Sequence, residues 1–130
     1  MIAQLHLEDR VTLYGRAAPH EVVALLKAAQ LVVIPSRDET FGIVALEAMA
    51  AEKPVLATRV GGLPELVSNK GPYSWLVPPT VDDLTKGLNR FLPTIAAGTA
   101  SAASVDPTVD RFAWQCVVDR YEDVLRGATP

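Results

Sequence analysis

Apolar residues gather in near-continuous runs at Val11-Thr-Leu-Tyr-Gly15, Leu31-Val-Val-Ile-Pro35 and Pro54-Val-Leu-Ala-Thr58, with Trp75-Leu-Val-Pro78 as a weaker fourth. Runs without polar alternation predict strands of a parallel sheet covered on both faces. Between the first two, Pro19 opens a helical stretch to about Ala29, with Val22, Val23, Leu25, Leu26 and Ala29 in one stripe. A second helix is predicted from Gly42 to Ala51, a short one from about Glu65 after Pro64, and a longer one over Val81 to Leu92 with Thr80 as its N-cap. Strand and helix therefore alternate, which predicts an α/β fold with right-handed crossovers.

Residues 94–108 are rich in Ala, Ser, Thr and Gly between Pro93 and Pro107, and they read as a flexible linker within a single domain spanning 1–130. After it, Val109, Phe112, Ala113, Cys116, Val117, Tyr121, Val124 and Leu125 fall at helical spacing and predict an amphipathic C-terminal helix over 109–127. No internal repeat is present.

Composition narrows the class. Hydrophobic residues at 49% against 21% charged exclude a disordered tail or a coiled coil. A net charge of −3, with Lys and Arg scattered singly, leaves no basic patch for a phosphate backbone, so nucleic acid is not an expected partner. The single cysteine, Cys116, cannot form an internal disulfide, and the N-terminal residues lack the pattern of a signal peptide; a reduced, cytoplasmic setting is expected. No apolar stretch is long enough for a transmembrane segment.

Glu47 is the anomaly. It is the only charged residue in Gly42-Ile-Val-Ala-Leu-Glu47-Ala-Met-Ala-Ala51, a helix apolar all the way round. Such a helix is expected to be buried, where a carboxylate is costly without partners. Glu39 stands in the loop that feeds this helix, beyond the carboxyl end of the preceding strand, where open parallel sheets bind ligands. The free N–H groups and positive dipole end of the helix face the same space and suit a phosphate or pyrophosphate. Gly42, without a Cβ, permits close approach to the backbone. Glu39 can accept from sugar hydroxyls and Glu47 from a second pair, such as those of a ribose. The plainer alternative makes Glu39 a solvated loop acid and pairs Glu47 with a buried Arg such as Arg59.

The stretch from Pro35-Ser-Arg-Asp-Glu39-Thr-Phe-Gly-Ile-Val-Ala-Leu-Glu47 through Pro54-Val-Leu-Ala-Thr-Arg-Val-Gly61-Gly-Leu-Pro-Glu65 closely resembles the donor-binding segment of group-1 retaining glycosyltransferases of the GT-B architecture. The likeness runs from Asp9-Arg10-Val-Thr-Leu-Tyr-Gly15 to Phe112-Ala-Trp114. It implies a partial donor-binding domain: a Rossmann-like three-layer α/β/α fold with a short, mostly parallel sheet of about four strands. It also implies binding of a nucleoside-diphosphate sugar, with hexosyl transfer to an acceptor hydroxyl, retention of configuration and no obligatory metal or other cofactor. By the resemblance, Glu39 contacts the transferred sugar and Glu47 the ribose. The backbone of Phe41, Gly42, Ile43 and Val44 contacts sugar and pyrophosphate, with Thr40 in the same loop, and Arg16 and Ala17 meet the base. Glu39 is the residue assigned to catalysis, in a positioning role.

Two departures stand out. The family has Gly where this chain has Glu52 or Lys53, in the turn before Pro54. The family also has an acceptor domain and two further strands carrying an Arg and a Lys that neutralise the leaving diphosphate; this chain starts after them. The isolated chain is therefore expected to be inactive, because stabilising the leaving group is a large electrostatic term. A noncatalytic binding module, or half of a split enzyme whose acceptor domain is a separate chain, are the alternatives. The missing strands also expose a sheet edge, so either Val11 to Gly15 closes up beside Leu31 to Pro35 or two copies meet as a homodimer, which is the favoured expectation.

Other residues carry weaker signals. His6 and His20 lack companions at ligand spacing, so no metal site is expected. Cys116 falls in an apolar stripe and is expected in the core. Asp82 and Asp83 suit the first turn of a helix. Gly61-Gly62 is either a turn that brings backbone near the donor or a plain turn.

Overall fold

The central run Val55-Leu-Ala-Thr58 is buried at every position, and the sheet is built around it. In a computed structural model, which describes residues 1–67, 74–97 and 107–127, the elements are α1 (Pro19–Ala28), β1 (Val32–Ile34), α2 (Ile43–Ala50), β2 (Val55–Thr58), α3 (Leu63–Leu66), β3 (Ser74–Val77), α4 (Val81–Ala96) and α5 (Trp114–Leu125). Short 3-10 turns occupy Ala3–Leu5 and Pro107–Phe112. The strands pair in parallel in the order β1-β2-β3, with Val32 opposite Val55 and Leu56 opposite Trp75. This is the expected α/β class.

Side chains of β2 alternate between two helix layers. Val55 and Ala57 join Ile34, Ala45, Ala48, Met49, Leu63, Leu66 and Val67 in one core cluster. Leu56 meets α4 on the other side, where a Cβ on Gly87 would lie 2.9 Å from Leu56 Cδ1. Gly87 thus lets α4 approach the sheet closely. Phe91, 1% exposed, closes that layer against the edge of Trp75, with ring centroids 3.9 Å apart.

Local signals explain the helix starts. Thr80 Oγ1 accepts from the Asp83 N–H at 3.1 Å, the expected N-cap. In α1, Glu21 reaches back to accept from the Ala18 N–H, following Pro19 at the first helical position. The end of α2 is a Schellman motif, in which the Lys53 N–H donates to Ala48 and the Glu52 N–H to Met49. Its left-handed residue is Glu52, at φ +59°, in the turn where the resembled family carries Gly.

Several expectations are corrected. Val11 to Gly15 belongs to no strand, so the sheet has three strands among the described residues rather than about four, and it does not close up along β1. Among the described residues nothing covers Leu13 or Tyr14, which are 81% and 61% exposed, so pairing would exchange water for backbone partners with little burial. Residues 94–96, expected at the start of a linker over 94–108, instead belong to α4, which continues through Pro93 to Ala96; residues 98–106 lie outside the described residues. Buried Phe91 anchors this turn, and Thr94 Oγ1 donates to the Phe91 carbonyl at 2.7 Å.

The C-terminal helix starts at Trp114 rather than Val109, and none of its residues is buried. Val109 and Phe112 precede it and do pack against the core cluster. Cys116, expected in the core, is exposed, because the stripe it belongs to has no facing element among the described residues. Likewise Val23 and Leu25 of the α1 stripe are exposed, while Leu26 is buried.

Candidate functional site

The site begins where β1 ends. Thr58, the one hydroxyl in β2 and 1% exposed, places Oγ1 2.6 Å from the Ser36 carbonyl and 3.3 Å from that of Ile34. A buried hydroxyl must find such a partner, and here its partners tie the end of β2 to the start of the 35–42 loop. The chain then reaches Glu39, whose carbonyl accepts from the Gly62 N–H at 3.1 Å.

Gly61 and Gly62 form a bed for this loop. A Cβ on Gly61 would stand 1.6 Å from the Glu39 carbonyl oxygen, and Gly61 also has φ +48°. One on Gly62 would lie 2.8 Å from the Thr40 carbonyl oxygen and 3.0 Å from Phe41 Cα. Neither position has room for a side chain. The glycine pair thus supports the loop closely, a role that neither reading of the turn anticipated.

Gly42 is the N-cap of α2 at φ +91°, a left-handed conformation that suits glycine. Its N–H donates to Glu39 Oε1 at 3.2 Å, so Glu39 folds over the start of the helix. The Gly42 carbonyl accepts from Ala45 and Leu46. Among the described residues, the N–H groups of Ile43 and Val44 have no such acceptor, and both residues are exposed. Two orphan donors at the positive end of a helix, beside a half-buried carboxylate, can hold an anion and a hydroxylated group together.

Glu47 is exposed, which corrects the burial expected of it. Ala45, Ala48 and Met49 turn inward, whereas Ile43, Val44, Glu47 and Ala50 face outward with no element over them among the described residues. An apolar sequence all round the helix therefore does not imply cover all round. Arg59 is exposed too, and no ion pair joins it to Glu47 among the described residues, so the buried-pair alternative is also set aside. Glu47 lies one turn along the same face as Ile43, about 6 Å down the axis. Its carboxylate remains free to accept.

The structure thus brings Glu39, Thr40, Phe41, Gly42, Ile43 and Val44 together, with Glu47 one turn along the face of Ile43. Arg16 is exposed and Ala17 half-buried in the segment before α1, and neither makes a hydrogen bond or ion pair to this group among the described residues. No cluster of metal-ligating side chains occurs among the described residues. No helix among them is long and apolar enough to cross a membrane. The sequence reading missed the Thr58 tether, although a lone hydroxyl at the end of an apolar strand was its signal. It also missed the edge contact of Phe41 with Phe112, whose centroids lie 5.8 Å apart.

Residues 1–94 match the family model described as glycosyl transferases group 1. The chain is 34% identical to a D-inositol 3-phosphate glycosyltransferase of Streptosporangium roseum, over 97% of this chain and 29% of that protein. Among solved structures, sucrose-phosphate synthase from Thermosynechococcus elongatus superposes with a TM-score of 0.82 at 31% identity, covering 97% of this chain and 32% of the other. The Anabaena protein HepE, solved in complex with UDP and glucose, gives 0.75 at 31% identity, covering 97% and 34%. The chain spans about 30% of the length of the curated relatives it matches. Motif, fold and family model coincide: the chain belongs to the group 1 glycosyl transferases.

Proposed function

We propose that the 35–62 region binds a nucleoside-diphosphate sugar, and that in a complete enzyme it presents that donor for retaining hexosyl transfer to an acceptor hydroxyl. The observation that carries this reading is the junction of Glu39, Gly42 and the free N–H groups of Ile43 and Val44 on a glycine bed. Diphosphate oxygens would accept from those N–H groups, aided by the helix dipole. The Glu39 carboxylate would accept from sugar hydroxyls while Gly42 holds one of its oxygens, so it positions the sugar. Glu47, one turn along the face of Ile43, would take the ribose hydroxyls, and Arg16 and Ala17 would meet the base.

The neighbour solved with UDP and glucose supports a uridine nucleotide as the first donor to try. In the isolated chain we expect binding without transfer, since cations that stabilise the leaving diphosphate are a large part of such catalysis. The test is isothermal titration of the purified chain against UDP-, GDP- and ADP-sugars. Saturable heat with one of them is expected, and Glu39→Gln or Glu47→Ala should weaken it roughly tenfold, the scale of lost hydrogen bonds to a charged group. Flat titrations with all three would overturn the donor reading. Product formed by the pure chain would overturn the expectation of binding alone.

A further inference from the structure

The C-terminal segment is attached beside the donor loop by a small set of contacts. Phe112 meets Phe41 edge to face, with an interplanar angle of 81°. The preceding guanidinium, that of Arg111, lies 5.6 Å from the Phe112 ring centroid and donates through Nη2 to the Glu65 carbonyl at 3.2 Å. Val109 adds an apolar contact to the core cluster, and α5 beyond it has no buried residue, Val118 being half-buried.

These contacts grip both sides of one junction. Phe41 belongs to the loop that rests on Gly61-Gly62, and Glu65 lies in α3, which starts directly after Gly62. Phe41 is 46% exposed, so no other lid among the described residues covers that ring to fix it as firmly as a core side chain. An edge-to-face pair and a nearby guanidinium each add modest attraction beyond burial. Together they hold the loop against its bed.

We propose that Phe112 and Arg111 are positioning residues for the donor site: through Phe41 and Glu65 they fix the loop that carries Glu39 and the start of α2. The inference rests on the donor reading of that loop, but its first test needs no donor. Amide hydrogen exchange, followed by NMR in the free chain, reads the loop directly at Gly42 and Gly62, whose N–H groups donate to Glu39.

Phe112→Ala should speed exchange at those two amides about fivefold, the local opening expected when an aromatic pair of ordinary strength is removed, while Val55 to Thr58 stay protected. Phe112→Tyr, which keeps the ring edge, should restore slow exchange. Unchanged exchange at Gly42 and Gly62 in a folded Phe112→Ala chain would overturn the proposal, as would equal loosening in the Tyr variant. If Phe112→Ala fails to fold, Arg111→Gln serves instead: about twofold faster exchange at the same two amides supports the clamp, and no change overturns it. With UDP-glucose, the Kd of Phe112→Ala should rise about fivefold and recover in Phe112→Tyr. A loosened loop with unaltered Kd would refute the positioning role. Failure of the unmodified chain to bind counts against the donor reading, and the exchange result still decides whether the clamp exists.

Discussion

The 35–62 region and helix α5 carry comparably apolar sequence and are used in opposite ways. In the first, backbone lies on backbone at distances that exclude even a methyl group, and Thr58 spends its hydroxyl on the loop above it. In α5, Trp114, Tyr121, Val124 and Leu125 are all at least 70% exposed. Hydrophobic periodicity names the face of an element, whereas steric exclusion and hydrogen bonding show what that face is committed to. The 35–62 loop is committed within the chain; among the described residues, α5 is not.

The largest effect should come from the glycine bed. Gly61→Ala places a methyl group in the Glu39 carbonyl and forces alanine into a left-handed conformation, so it should destabilise the chain by about 3 kcal/mol or abolish folding. Urea denaturation reads this, and a loss below 1 kcal/mol, roughly the cost of the conformation alone, would break the claim of tight support.

Thr58→Val removes the tether while keeping shape. The Ser36 carbonyl then loses its partner, and the expected cost is about 1–2 kcal/mol by the same measurement. A neutral result would mean water replaces the hydroxyl and the loop start is less constrained than its distances suggest.

Glu52 offers a gain of about 1 kcal/mol. At φ +59° in the Schellman turn it holds a conformation that glycine adopts freely, so Glu52→Gly should raise the unfolding midpoint. The turn lies at the far end of α2, hence donor binding should not change. A lower midpoint would show that the side chain contributes more than its strain.

The smallest effect separates the two regions most sharply. Tyr121→Ser in α5 should alter monomer stability by less than about 0.5 kcal/mol, as for a surface position. If two copies meet over this face, as we expect of exposed apolar surface, light scattering should show a concentration-dependent dimer that the substitution weakens. A monomer at all concentrations would reject that assembly, and a large loss of monomer stability would show that α5 has cover within its own chain.

These contrasts also separate what was legible in the sequence. Strands β1, β2 and β3, the caps at Pro19 and Thr80 and the loop from Glu39 to Val44 followed from local pattern, because turn chemistry and buried runs act over a few residues. Glu47 and Cys116 were misplaced because their burial depends on what lies across from them, which periodicity does not encode. Val11 to Gly15 had strand composition without a covered edge to join. The contacts of Thr58 and Phe112 were not legible, since their partners, Ser36 and Phe41, lie far away along the chain.

Under the proposed function, the start of α2, rather than the exposed C-terminal helix, receives the donor. NMR titration of the labelled chain with UDP-glucose tests it most directly. Saturable shifts of the Gly42, Ile43 and Val44 amides and of Gly61 and Gly62 are expected, with Tyr121 to Leu125 unmoved. Saturable shifts confined to α5, or none at the start of α2, would contradict it.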